Sequence, residues 1–143
     1  MGAVLMPVRH KYNPAAMHAI LSSPQGGLAK DMLKRAVRVQ ALAKKNLQRP
    51  PQRVKTGHLR ASITITPFLF RSYPAFRVGS PLNYARWVHD GTGIYGPHHQ
   101  LIKPRNANVL AWHGNMGEFV FAKSVKGMPP NPFLKDAVKA AKL

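Results

Sequence analysis

Ile63 to Gly79 reads ITITPFLFRSYPAFRVG, and its period of two decides what kind of fold the chain can adopt. Ile63 and Ile65 alternate with Thr64 and Thr66, the pattern of a half-buried strand, until Pro67 demands an edge position or a bulge. Phe68 and Phe70 resume the alternation. Arg71-Ser72-Tyr73-Pro74 reads as a turn, and beyond it Phe76 and Val78 alternate with Arg77 and Gly79. The stretch therefore predicts a β-hairpin.

On its N-terminal side the period changes to that of a helix. Leu28, Met32, Ala36, Val39, Ala43 and Leu47 step by fours and a three, one buried face of a helix over 28–47 that Pro50-Pro51 ends. Its start is signalled by Ser23 with Pro24 or by Gly26-Gly27. A shorter helix over Ala15–Leu21 precedes it, with Asn13 as cap, Pro14 at the first position and Ser22-Ser23-Pro24 as its close. Lys55 to Ser62 reads as a turn or a single helical turn.

On the C-terminal side, Tyr84, Ala85 and Val88 share one face of a helical turn, which Trp87 is expected to cap. Leu101–Pro104 and Val109–Trp112 are short extended pieces, and Phe119–Val125 is a better strand with Phe119 and Phe121 on one face. His113 to Gly117 is a turn. Asn131 as cap and Pro132 at the first position open a terminal helix whose apolar face is Phe133, Leu134, Ala137, Val138 and Ala141. Helices, then strands, then a helix imply an α+β fold: a long N-terminal helix and a C-terminal helix packed on a small antiparallel sheet, with extended loops. One domain is expected over 1–143, made of an irregular basic arm (1–12), a helical part (13–49), sheet and loops (56–126) and the last helix (131–142).

Composition narrows the function. Lys and Arg number 22 against 4 Asp and Glu, a net charge of +18, which calls for an anionic partner, nucleic acid or acidic protein, or for a tolerance of self-repulsion. The carboxylates, Asp31, Asp90, Glu118 and Asp136, leave little for acid–base chemistry. Cysteine is absent, so disulfides and thiolate metal sites are excluded. No targeting segment and no run of membrane-spanning length is visible. On the long helix Lys30, Lys34, Arg38 and Lys45 form a stripe, read either as a solvated face or as contact with phosphate or an acidic neighbour. No aromatic residue interleaves it, so base stacking has no support there.

Tyr84–Pro97, YARWVHDGTGIYGP, contains Gly91-Thr92-Gly93-Ile94-Tyr95-Gly96, formally a dinucleotide fingerprint. The fingerprint needs a helix to open at its end, and Pro97, His98, His99 and Pro104 leave no room for one. No cofactor is expected. A zinc site from His89, Asp90, His98, His99 and His113 lacks any fixed i, i+4 pair, so no metal is expected either. A nuclease using His98 or His99 as base and Asp90 to hold magnesium lacks the carboxylates of two-metal chemistry.

Several spaced motifs coincide in order: Thr56-Gly57-x-Leu59-x-x-Ser62-Ile63, Val78-Gly79, Tyr84-Ala85-x-x-Val88-His89-x-Gly91-Thr92, and Gly127-x-Pro129-x-Asn131-Pro132-Phe133-Leu134. Over roughly residues 28–140 the set resembles the tail-completion, or head-tail joining, proteins of long-tailed bacteriophages, often called minor tail proteins. One departure is that many members carry Glu and an aromatic before the Gly-Thr, where this chain has His89-Asp90. The resemblance implies a non-enzymatic α+β subunit of the virion. It would form a ring of six in the neck, between capsid connector and tail tube, touching the neighbouring neck and tail proteins while DNA passes through its lumen. In that setting Gly91–Gln100 is expected to be a loop docking on neighbours, with His89, Asp90, Gly91, Thr92, His98 and His99 in or beside it and Ile94 and Tyr95 as apolar anchors. The runner-up is a basic nucleic-acid-binding module.

Overall fold

Helices enclose a small core on one side of a β-hairpin, and a second hairpin stands apart from it. The computed structural model describes residues 13–49, 57–114 and 116–142. The basic arm 1–12, the Pro50-Pro51 stop, Thr56 and Asn115 lie outside the described residues. Among those described, the helices are α1 (Pro14–Ser22), α2 (Gly27–Asn46), α3 (His58–Ala61), α4 (Tyr84–Asp90) and α5 (Phe133–Ala141). The strands are β1 (Thr64–Phe70), β2 (Tyr73–Gly79), β3 (Leu110–His113) and β4 (Phe119–Ala122). The fold is α+β, but the strands form two separate two-stranded antiparallel sheets, β1-β2 and β3-β4, rather than one.

Asn13 caps α1 as its sequence implies, its Oδ1 accepting from the Ala15 and Ala16 amides at 3.1 and 3.2 Å. Gly26 occupies the cap position of α2, and Ser23 closes α1 instead of opening α2. The expected face of α2 is the buried one: Ala36, Val39 and Ala43 are buried within it and Leu47 just past its end. Opposite lie Ala137 and Ala141 of α5, also buried, and alanines on both helices let their backbones approach closely. Phe133 (1% exposed) and Ile63 are the largest side chains fully enclosed there. Leu42, Leu59, Val78, Val88 and Leu134 pack around them.

The start of α5 departs from expectation. Its cap position falls to Pro132 and no side chain caps it. Asn131 is drawn to other work: its amide donates to Val88 O at 2.9 Å and its Nδ2 to Asn46 O at 3.4 Å, joining α5 to α4 and α2. Asn46 is itself buried, and its Nδ2 donates to Phe133 O at 3.1 Å. A buried amide with a partner costs far less than one without, so this link is a specific clamp on the core.

In the first hairpin the turn is two residues, not four. Arg71 (φ 49°) and Ser72 (φ 69°) both adopt the left-handed region, the pattern of a type I′ turn, and Phe70 pairs with Tyr73. Pro74 is therefore inside β2. Of the two options for Pro67 the edge position holds, because β1 has one neighbour, and no bulge occurs, since the register runs unbroken from Thr64↔Gly79 to Phe70↔Tyr73. Counting outward from the hydrogen-bonded pair that closes the turn, Leu69↔Pro74 and Pro67↔Phe76 fall at non-hydrogen-bonded positions, where a missing amide proton costs no ladder bond. The unbroken register has a second consequence: Phe68 and Phe70 share the face of Thr64 and Thr66, opposite Ile65 and its partner Val78.

Candidate functional site

α4 extends the expected single turn to seven residues, with Ala85 buried and Val88 half-buried against the core. Trp87 does not cap that face. It lies roughly 200° round the helix from Ala85 and is 59% exposed.

The first residues of the chain that follows are laid antiparallel along 126–130, while 97–100 is exposed. The Thr92 amide donates to Met128 O and the Ile94 amide to Lys126 O, both at 2.9 Å, while Thr92 Oγ1 accepts from the Met128 amide at 2.9 Å. Gly93–Tyr95 then forms a 3-10 turn. Two glycines permit this approach: Gly93 (φ 65°) faces the Lys126 carbonyl, Gly127 (φ 89°) faces the Thr92 carbonyl, and a Cβ on either would overlap that carbonyl. Farther along, Ile102 and Val125 exchange backbone hydrogen bonds at 2.9 and 3.0 Å, all that the expected strand over 101–104 contributes.

The residues singled out from sequence thus separate into two groups. Gly91 is buried and Thr92 half-buried, both committed to contacts within the chain, and Ile94 is half-buried. Asp90, Tyr95, His98 and His99 are exposed, His99 with Nδ1 3.1 Å from Ile94 O. Lys30, Lys34, Arg38 and Lys45 are all exposed on the side of α2 roughly opposite its buried face, so the stripe is free to meet solvent or a partner.

His89 stands its ring edge against Phe133, with centroids 5.5 Å apart, and its Nδ1 is 2.8 Å from Asp90 Oδ1. A carboxylate only accepts, so Nδ1 carries the proton. Arg86 lies 3.5 Å from the other carboxylate oxygen. The hydrogen bond from His89, reinforced by the imidazole and guanidinium charges, holds the Asp90 carboxyl below its ordinary value against a smaller opposing effect of burial. These three residues border an open cleft of about 450 Å³ with Ser80, floored by Phe133 and Leu134. Ser80 is not aligned with the imidazole: its Oγ is shared with Ser62 Oγ at 2.7 Å and the Leu82 amide at 3.2 Å. Among the described residues, no hydrogen bond joins it to His89, and no three of the His, Asp and Glu side chains cluster as metal ligands.

Because the folded-state value of Asp90 is depressed, its contribution to stability is present above the ordinary 3.8 and is lost as pH falls through the lowered value. Asp90→Asn is therefore expected to lower Tm slightly at pH 7, and the gap from the parent chain should close on acidification below 3.8. Thermal melts between pH 7 and pH 2 read this directly; a gap that persists in acid would mean that the aspartate acts by shape alone.

Two surfaces carry aromatic residues that sequence reasoning gave no role. On the outer face of β1-β2 the Arg77 guanidinium sits 5.3 Å from the Phe68 ring centre, and that of Arg71 5.5 Å from Phe70. On β3-β4, Ala111, His113, Phe119 and Phe121 share a face by register, and all four are exposed. The second surface was readable in part, since the alternation of Phe119 and Phe121 marks one strand face; what sequence lacked was any element to bury it on.

No family model matches the chain, and no curated protein or solved structure does so either. No helix among the described residues is long and apolar enough to cross a membrane.

Proposed function

We propose that the chain is a structural virion protein of a tailed phage, a subunit of a neck ring joining capsid connector to tail tube, with no catalytic role. One observation carries this reading: the motif blocks that resemble the tail-completion proteins converge in space. Leu59, Ile63, Val78, Val88, Phe133 and Leu134 meet in the core, and Gly91-Thr92 lies along Gly127-Met128. Blocks that pack together describe one folded unit, as a shared subunit fold requires. The exposed aromatic faces suit a subunit that covers its apolar surface on neighbours, and acidic neighbours would neutralise its +18 charge. Particles made without the chain are expected to appear in electron micrographs as full heads beside separate finished tails. Joined particles, or absence of the chain from mature particles, would overturn the assignment.

A second reading, a nucleic-acid-binding module, is favoured by the β1-β2 outer face, where guanidinium groups lie over exposed phenylalanine rings, the residue types that platforms for unpaired bases combine. Titration with an oligonucleotide at increasing salt separates the two. A binder loses affinity steeply and depends on Phe68 and Phe70, whereas a neck subunit binds weakly throughout.

A further inference from the structure

A two-stranded hairpin without packing on a third element is marginal in water, yet β3-β4 presents Phe119 and Phe121 (63% and 64% exposed) on one open face. Its tip is ordered by Glu118, whose backbone carbonyl accepts from the Gly114 amide at 2.7 Å and whose Oε2 accepts from the Met116 amide at 3.0 Å. The hairpin is thus a shaped apolar knob with a carboxylate at its end. Elsewhere on the chain α2, β2 and α5 leave a groove of about 410 Å³, floored by Met32, Val39, Phe76 and Val138 and bordered by Arg35 and Lys135. A cavity of about 150 Å³ accommodates a benzene ring, so the groove has volume for both phenylalanine rings.

We propose that the β3-β4 hairpin of one copy docks in the α2-β2-α5 groove of a second copy, an inference that rests on the ring-subunit reading. Charge complementarity selects the occupant. Two chains of +18 repel one another, and a contact between copies needs a carboxylate set against cations. Asp31 is already paired with Arg35 at 2.8 Å and Asp90 with His89 at 2.8 Å, and Asp136 is half-buried in the first turn of α5, whereas the Glu118 carboxylate, folded over its own turn on the Met116 amide, is exposed at the hairpin tip, where it can meet Lys135 and the free edge of Arg35. Knob and groove use different patches of one chain, so the contact is head-to-tail. Repeated contacts of this type close into a ring when the rotation between copies allows it.

The absence of cysteine makes the test direct. Met116→Cys and Lys135→Cys place single thiols at the hairpin tip and at the groove rim. Under mild oxidation of the full chain, their mixture is expected to give a disulfide-linked dimer at least about tenfold more abundantly than either variant alone. Phe119→Ser with Phe121→Ser, both at exposed positions, should weaken self-association seen by sedimentation roughly a hundredfold or more. Glu118→Lys should weaken it also, and Lys135→Glu added to that variant should restore part of the loss. Efficient linkage of Met116→Cys to itself, or a ring that survives loss of both phenylalanines, would overturn the docking while leaving the neck assignment standing. Joined particles formed without the chain would instead remove that assignment.

Discussion

Phe133→Ala is expected to cost about 3–5 kcal/mol, the range for truncating a fully enclosed aromatic side chain. Phe133 is 1% exposed, and its ring lies where α2, α5, Ile63 and the His89 ring meet. The core offers little to compensate. Apart from Ile63, no other large side chain among the described residues is below 2% exposure, and most of the other buried apolar positions on α2 and α5 are alanines, Ala36, Ala43, Ala137 and Ala141 among them. Alanines cannot swing into a void, so closing it would fall to the half-buried Leu42, Leu59, Val78, Val88 and Leu134 around it, and part of the cavity would persist. For a domain with a total stability of about 5–15 kcal/mol, the loss takes a large share of the whole. Equilibrium denaturation in urea measures it, with Phe133→Leu as a milder companion expected to lose less than half as much. A loss under about 1 kcal/mol for the alanine variant would mean that Phe133 is not the centre of packing.

The same region shows what periodicity can and cannot disclose. The buried stripe of α2 was legible because its apolar spacing of threes and fours admits one helical reading. Asn13 was legible too, being a cap directly before a proline. Asn131-Pro132 has the same form, yet Asn131 serves as a bridge to Val88 and Asn46. Local propensity gives way where a tertiary partner offers a better bond, and no local pattern announces that partner.

The hairpins illustrate the other limit. Alternation gave β1 and β2 but misplaced their turn, because Pro74 looks like a turn residue and Arg71-Ser72 does not look like a type I′ pair. The position of Pro74 relative to the ladder, which makes it harmless in β2, depends on a register that only the folded pair defines. For the candidate surface the difficulty was different. Phe68 and Phe70 were visible as strand residues, but the face they occupy turns on whether Pro67 breaks the register. Since it does not, both rings move from the core side to the outside, where Arg71 and Arg77 stack on them.

Gly127→Ala and Gly93→Ala are expected to destabilise by about 3 kcal/mol or more each, for a reason that has nothing to do with apolar burial. Both residues hold φ in the left-handed region, at 89° and 65°, which costs an ordinary residue about 1–3 kcal/mol. A Cβ at either would in addition overlap a backbone carbonyl, that of Thr92 for Gly127 and that of Lys126 for Gly93. A flexible side chain could rotate away, but a carbonyl fixed in a ladder cannot. Relief requires the two segments to part, which breaks the Thr92-to-Met128 and Ile94-to-Lys126 hydrogen bonds, worth about 1 kcal/mol net apiece. Parting them also loosens the anchor of the chain leading into α5, so the variants should show reduced amide protection at Thr92, Ile94 and Met128 before global unfolding. Gly79→Ala is the control, because no atom lies within 4 Å of its added Cβ and its φ is not left-handed. That variant should stay within about 0.5 kcal/mol of the parent. Equal stability of the Gly79 and Gly127 variants would mean that the chain between Gly91 and Gly96 moves as a free loop.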